Sequence, residues 1–148
     1  MLAVIIDART EATRLPALLA QLTAGAVEGL VRQVLIVATD RQPDIELLCE
    51  ETGADAMPTM AAAATASRAD WLMVLPAAFR LRDGWIESVE GHLARGGAAA
   101  LVQGLAEGGL FSRRPYGVLV ERRRLDGRDG ADLQRLRREL GLRADRIG

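Results

Sequence analysis

Six charged side chains stand just beyond three apolar runs of the sequence, where buried strands would end. They are Asp7, Arg9 and Glu11 after residues 2–6, Asp40 after residues 34–37, and Arg80 and Arg82 after residues 71–75. A guanidinium can hold a phosphate group through two hydrogen bonds, and a carboxylate accepts hydrogen bonds from hydroxyl groups. Strand-end residues with a purely packing role would not need this charge, so we expect a ligand site here.

Alternating strands and amphipathic helices must position these side chains. Apolar runs predict strands at 2–6, 34–37, 54–57, 71–75, 98–102, 110–111 and 118–120. Helical spacing or composition predicts helices at 11–24, 44–52, 59–67, 83–95 and 131–140. This alternation predicts one α/β domain over residues 1–148, a three-layer sandwich with a mainly parallel, mixed sheet. Ligands of such sheets bind beyond the carboxyl ends of the strands, so segments 7–11, 38–41 and 76–80 should border any site.

The composition predicts a cytoplasmic protein. The chain has 148 residues, of which 49% are hydrophobic, and one cysteine, Cys49. A single cysteine forms no internal disulfide, which is typical of a reducing compartment. No apolar run reaches the roughly 18 residues of a membrane span, and the start lacks the basic region of a signal peptide.

Missing residue types exclude several classes of enzyme. All 19 basic residues are arginine, a bias that we attribute to genome base composition. Without lysine the chain has neither a phosphate-loop lysine nor a Schiff-base nucleophile. One histidine and one cysteine cannot form an ordinary zinc site. None of Ser67, Ser88 and Ser112 lies in a Gly-x-Ser-x-Gly turn, so a hydrolase triad has no support.

Positive charge is concentrated near the end of the chain. Residues 113–148 hold 11 arginines and 6 acidic residues, whereas residues 1–112 hold 8 arginines and 14 acidic residues. The predicted helix at 131–140 lies in this arginine-rich segment. A charged helix of this kind is usually a solvated surface with its own ion pairs, such as Asp132 with Arg135. Arginines can also hold phosphate. Five aromatic residues and a pI near 5.9 do not favour nucleic acid as a partner.

Most of the singled-out residues also have a structural interpretation. Glu11 is favourable at a helix start through the helix dipole. Asp7 and Arg9 could pair with each other, and Arg80 and Arg82 could be plain surface residues. Buried structural roles are expected for His92, Trp71 and Trp85.

The order of several motifs resembles the family 2 glycosyltransferases. Residues 5–12 with 14–19 (Arg-Leu-Pro-Ala-Leu-Leu) look like that family's first strand, Asn-Glu pair and first helix. Residues 69–75, 80–81 and 84–86 resemble its Gly-Asp-Trp-Leu strand, Asp-x-Asp turn and Gly-Trp pair, and residues 117–125 resemble its Phe-Val-Arg-Arg strand. The resemblance covers most of residues 2–140. It implies the A-type nucleotide-diphospho-sugar transferase fold and a nucleotide-sugar ligand.

Departures from the family fall on its functional positions, so the resemblance is to a degenerate and shortened member. Ala38 stands where the family has a base-binding Asp, and residues 76–78 (Pro-Ala-Ala) stand where it has the metal-binding Asp-x-Asp. Thr10 replaces the Asn of the first motif, and Asp129 is the candidate for the general base. No cofactor is therefore expected and a divalent metal least of all, since such a metal needs carboxylate ligands.

Carried onto this chain, the resemblance implies two sets of site residues. The nucleotide would be bound by Asp7, Arg9, Glu11 and Asp40. Arg80 and Arg82 would neutralise the diphosphate in place of a metal.

Three hypotheses follow. The first is a glycosyltransferase-like domain that binds a nucleotide-sugar without a metal. The second is a catalytically inactive interaction module that pairs with a protein partner or with a second copy of itself. The third is an unrelated α/β protein, whose sheet would have a flavodoxin-like order without the antiparallel strand of the family.

Overall fold

The computed structural model describes residues 1–40, 42–105, 116–124, 133–140 and 144–148. Its strands are β1 (Leu2–Asp7), β2 (Val31–Val37), β3 (Asp55–Met57), β4 (Trp71–Pro76), β5 (Ala100–Gln103), β6 (Tyr116–Glu121) and β7 (Asp145–Ile147). Its helices are α1 (Leu15–Val27), α2 (Pro43–Thr52), α3 (Met60–Ala66), α4 (Trp85–Ala94) and α5 (Leu133–Leu140). Short 3-10 helices cover Ala12–Arg14 and Arg122–Arg124.

One sheet joins these strands in the order β3-β2-β1-β4-β6-β5-β7. The first four strands in this order run parallel to one another. Strand β6 runs antiparallel to both of its neighbours, and β7 runs parallel to β5. The predicted mixed and mainly parallel sheet is therefore confirmed. The antiparallel β6 departs from the sheet order expected of an unrelated flavodoxin-like protein.

Helices cover both faces of the sheet, as the three-layer prediction requires. Alternate residues of each strand point to opposite faces, so that Ile6 packs in one apolar layer and Ile5 in the other. The layer around Ile6 contains residues of α1, α2 and α4. The layer around Ile5 contains residues of α3 and Leu136 of α5.

The first helix differs from its predicted range of 11–24 at both ends. Glu11 has a left-handed backbone (φ 56°, ψ 33°), which cannot continue a helix, and α1 begins only at Leu15. Gly25, the residue after the predicted range, lies inside the helix. A Cβ at this position would lie 2.5 Å from the Trp85 indole, so Gly25 serves the close contact between α1 and α4. The helix ends before Gly29, whose φ of 85° suits a glycine.

Other boundaries agree with the sequence to within a few residues. Strand β7 was not predicted, because its three residues include two charged ones. The predicted strand at 110–111 lies outside the described residues.

Candidate functional site

The strand ends that were predicted to meet do lie at one edge of the sheet. Beyond each end the backbone ladder continues by one alanine. The amide of Ala8 donates to the last residue of β2 (2.9 Å), that of Ala77 to the last residue of β1 (3.0 Å), and that of Ala38 to the last residue of β3 (3.1 Å). The segments after β1, β2 and β4 are thereby held side by side, with small apolar side chains at their first positions.

A cavity of about 330 Å³ opens at this edge, beyond the ends of β2 and β3. It is lined by Ala38, Thr39, Asp40, Gln42, Ile45, Glu46, Ala56, Met57 and Pro58. Its volume lies at the lower end of the range of small-molecule sites, about 300–1,000 Å³. Ile45 and Met57 give the cavity apolar walls, and Asp40 and Glu46 supply its two carboxylates. Such a lining suits a flat ligand that also forms hydrogen bonds.

Asp40 is the predicted nucleotide-binding residue that lines this cavity. Its side chain is exposed, so it can accept hydrogen bonds from a ligand without a burial penalty. Asp7, Arg9 and Glu11 are not among the residues that line it. The sequence did not point to the cavity residues Ile45 and Met57, because alone they look like ordinary core residues.

Asp7 and Arg9 form a bidentate ion pair at the end of β1. Arg9 donates from Nε to Oδ1 (2.9 Å) and from Nη2 to Oδ2 (2.8 Å), and its amide also donates to Oδ1 (3.2 Å). The hydrogen bond from the Arg9 side chain lowers the pKa of Asp7, and partial burial opposes the effect. A carboxylate with a lowered pKa is a poor general base at neutral pH. In this geometry the carboxylate of Asp7 fixes the position of the Arg9 guanidinium.

The backbone of Glu11, two residues after Arg9, is strained. Glu11 is the one non-glycine residue with a positive φ in the part of the chain that the structure describes. A left-handed conformation costs an ordinary residue about 1–2 kcal/mol. The Glu11 side chain is exposed, and it makes no capping hydrogen bond to the helical turn that follows. Strain of this kind is concentrated at ligand-binding positions in proteins.

The two candidate diphosphate residues have different surroundings. The half-buried Arg80 donates to the carbonyl oxygens of Phe79 (2.7 Å) and Arg14 (3.0 Å). Burial lowers the pKa of Arg80, and the nearby charge of Arg14 adds to this effect. Arg82 is exposed and donates from Nη1 to Oε1 of Gln103 on β5 (2.9 Å). Arg80 thus lies between the turn after β4 and the start of α1, whereas Arg82 extends toward β5.

The turn after β4 does not fit a divalent metal. Pro76 ends the strand, and Ala77 and Ala78 form the turn; none of the three offers a carboxylate, whereas hard cations need oxygen ligands. Within the described ranges, no group of three or more His, Cys, Asp or Glu side chains is placed to hold a metal ion.

The remaining sequence predictions concern residues outside this edge. His92 is 4% exposed, and its Nε2 lies 2.7 Å from the carbonyl oxygen of Ala98, so its structural role is confirmed. Trp85 is buried as predicted, while Trp71 is only half-buried. Asp129 lies outside the described residues. None of the described helices has both the length and the apolar character to cross a membrane.

Comparison by sequence identifies no relative. No protein-family model matches the chain, and no curated protein matches it.

Comparison by structure finds nucleotide-sugar transferases and a related synthase. Glucosyl-3-phosphoglycerate synthase of Mycobacterium tuberculosis, solved with Mn²⁺, UDP and glucosyl-3-phosphoglycerate, is 14% identical (TM-score 0.60; 83% of this chain, 57% of that chain). Mannosyl-3-phosphoglycerate synthase of Rubrobacter xylanophilus is 16% identical (TM-score 0.54; 69% of this chain, 38% of that chain). The 4-diphosphocytidyl-2C-methyl-D-erythritol synthase of Anaerococcus prevotii is 9% identical (TM-score 0.60; 99% of this chain, 86% of that chain).

This chain spans a little over half of the glucosyl-3-phosphoglycerate synthase. At such low identities the comparison concerns the fold alone. The fold of this chain is that of the nucleotide-diphospho-sugar transferases.

Proposed function

We propose that this chain is a glycosyltransferase-like domain that binds a nucleotide-sugar at the carboxyl edge of β1, β2 and β4 without a divalent metal. The observation that carries the proposal is the cavity of about 330 Å³ beyond β2 and β3. One protein of similar fold was solved with UDP, and in open α/β sheets the carboxyl ends of the strands are where ligands bind.

The base and ribose fit the cavity best. Ile45 and Met57 supply apolar surface for a flat ring. Ala38 has no carboxylate, so recognition there falls to the backbone and to Asp40, whose oxygens can accept from ribose hydroxyls or from a base N–H. Asp7, Arg9 and Glu11 border the same edge from the end of β1, where the strained turn at Glu11 favours a ligand-contacting role.

Arg80 would supply positive charge for the diphosphate. It lies beside the turn that lacks metal-binding carboxylates, and the carbonyl oxygens of Phe79 and Arg14 orient its guanidinium. A fixed guanidinium can stabilise phosphate charge as a cation does.

The alternative is an inactive module that has kept the fold. It is favoured by the same contacts of Arg80, because a side chain held by two carbonyl groups already has a structural role. The two functions differ in whether a nucleotide binds at the carboxyl ends of the strands.

Isothermal titration of the full chain with UDP, UDP-sugars and GDP-sugars, with and without Mn²⁺, separates the two. CTP belongs in the series because one protein of similar fold is a diphosphocytidyl synthase. We expect UDP or a UDP-sugar to bind equally well with and without Mn²⁺. Absence of heat at millimolar concentrations of every nucleotide would overturn the proposal in favour of the inactive module.

Two variants locate the binding. Ala38→Phe fills the cavity and should abolish binding, and Asp40→Ala should weaken it about tenfold, the effect of one lost charge-assisted hydrogen bond. Asp55→Ala is the matched control, because this exposed carboxylate lies at the amino-terminal start of β3 and lines a separate cavity with Arg32 and Arg68. Equal losses in Asp40→Ala and Asp55→Ala would place the ligand elsewhere.

A further inference from the structure

A second cavity lies at the amino-terminal ends of the four parallel strands. Its volume is about 390 Å³, which is within the range of small-molecule sites. The residues that line it lie at or near the starts of β1, β2, β3 and β4, and they include Arg32, Gln33, Asp55 and Arg68. No described residue lines both this cavity and the one that we assign to the nucleotide. The domain therefore has room for a second ligand, at the opposite ends of the same strands.

An irregularity of the sheet positions Arg32. Leu2 of β1 pairs with Val31 of β2, whereas the next residue, Ala3, pairs with Gln33, so that Arg32 has no partner on β1. One extra residue of this kind is a β-bulge, which is rare between parallel strands. Bulges re-aim a side chain and are common beside functional sites. The bulge thus gives this exposed arginine a direction that a regular strand would not give it.

Gln33 links the backbone of the second arginine to that of the first. Its Nε2 donates to the carbonyl oxygen of Ala66 (3.2 Å), and its Oε1 accepts a hydrogen bond from the backbone amide of Arg68 (3.0 Å). Arg32 directly precedes Gln33 in the chain. The backbones of the two arginines are therefore held together through one side chain, and both arginines line the same cavity.

The charged side chains of this cavity are not paired with one another. Among the residues that the structure describes, the side chains of Arg32 and Arg68 form no salt bridge or hydrogen bond, and Asp55 forms no salt bridge. By contrast, Arg9 and Arg135 are each paired with a carboxylate. Two guanidinium groups that line one cavity can hold an anionic group through their N–H donors. The carboxylate of Asp55 can accept hydrogen bonds from a cationic group of the same ligand.

We propose that this second cavity binds a small zwitterion, a molecule that carries a carboxylate or phosphate group together with an amino group. The anionic group lies against Arg32 and Arg68, and the amino group lies against Asp55. A simple anion fits less well, because the carboxylate of Asp55 repels it. The site is separate from the nucleotide cavity, so the inference does not depend on the proposed function.

Two pairs of probes test this chemistry, because the members of each pair differ by one amino group. L-aspartate is compared with succinate for a carboxylate ligand, and phosphoethanolamine with ethyl phosphate for a phosphate ligand. Nuclear magnetic resonance of the full chain follows the backbone amides during each titration. In at least one pair, we expect the amino compound to cause saturable shifts at Arg68 and Ala69. It should bind at least about tenfold more tightly than its partner, the effect of one charge-assisted hydrogen bond.

Three variants assign the two ends of the ligand. Asp55→Asn should abolish the advantage of the amino compound over its partner. The double variant Arg32→Gln/Arg68→Gln should weaken the binding of the amino compound at least about tenfold. The control is Arg95→Gln/Arg138→Gln, which removes the same charge from exposed positions that do not line this cavity. It should leave the affinity within about twofold, because distant surface charges are screened by salt.

Equal affinities within both pairs, equal weakening by the two double variants, or no saturable shift with any probe would overturn the zwitterion site. Shifts confined to the Ala38 and Asp40 amides would also overturn it, because the probes would then occupy the nucleotide cavity. A UDP titration separates this inference from the proposed function. If UDP shifts the Ala38 and Asp40 amides while neither pair of probes shifts Arg68 and Ala69, only the zwitterion site is overturned.

Discussion

The guanidinium of Arg80 donates to the carbonyl oxygen of Arg14 over 3.0 Å. This contact joins the turn after β4 to the turn that leads into α1, although the two residues are 66 positions apart. Both turns border the edge where we place the ligand. Their relative position is therefore fixed by a side chain as well as by the sheet.

Replacement of Arg80 by alanine tests this link. We expect Arg80→Ala to lower the free energy of unfolding by about 1–3 kcal/mol, because partly buried carbonyl groups lose a charged donor. Urea unfolding measures the change. The control is Arg68→Ala at an exposed position, which should cost under about 0.5 kcal/mol. Equal urea midpoints for the two variants would contradict the role of Arg80.

Replacement of Arg9, the ion-pair partner of Asp7, should change the pKa of Asp7. Arg9→Gln is expected to raise the pKa of Asp7, which the Arg9 side chain lowers in the folded protein. Carbon-13 spectra of the carboxyl group measure this pKa. A pKa of Asp7 that is equal in the variant and in the unaltered chain would show that the ion pair does not form in solution.

The same pair predicts a pH dependence of stability. Because folding lowers the pKa of Asp7 below the usual range of an aspartate carboxyl, its stabilising effect is present above that range and is lost as the pH falls through the folded-state pKa. Arg9→Gln should thus be destabilising by at most about 1 kcal/mol at pH 7, since the pair is partly exposed to solvent. The difference should vanish at a pH low enough to protonate Asp7 in the folded protein. A difference that persists there would have a cause other than the titration of Asp7.

Gly117 should tolerate no side chain. A Cβ there would lie 2.3 Å from Cδ2 of Leu75 and 3.1 Å from the carbonyl oxygen of Val74. Gly117→Ala should therefore destabilise the protein by about 1–3 kcal/mol through overpacking between β4 and β6.

Gly91→Ala is the comparison variant, because it should raise the stability of the protein where Gly117→Ala lowers it. The closest neighbour of a Cβ at this helical position is the end of the Arg95 side chain, at 3.2 Å. Alanine should stabilise α4 by about 0.5–1 kcal/mol. Thermal unfolding of both variants measures the effects, and a Gly117→Ala protein as stable as the unaltered chain would refute the close contact between the strands.

The strain at Glu11 predicts a stabilising substitution. Glu11→Gly should raise the free energy of unfolding by up to about 1 kcal/mol, and the melting temperature by a few degrees, because glycine adopts a positive φ at little cost. Glu28→Gly is the control, since Glu28 has an ordinary helical backbone (φ −75°) and glycine there should destabilise. If both variants melt at lower temperatures, the left-handed turn is absent in solution.

The sequence predicts the sheet well where strands are continuous apolar runs. Runs such as 2–6 and 71–75 can only be buried between two layers of helices, and their carboxyl ends follow from their direction. The start of α1 could not be predicted, because it depends on the backbone angle of Glu11. The partners of Arg80 are distant carbonyl groups, which leave no pattern in the side chains. Strand β7 lacks an apolar run, so its pairing with β5 was not expected.

The alanine-rich α3 has a consequence for motion. It buries Met60, Ala63 and Ala64 against the sheet, and alanine side chains remove little apolar area from water. Segments with so little buried area open first in local unfolding, so the α3 amides should exchange their hydrogens faster than those of the leucine-rich α1. Pro58, two residues before α3, lines the cavity. A nucleotide bound there would slow this exchange, and occupancy of the cavity would become visible as protection of a helix that the ligand does not touch.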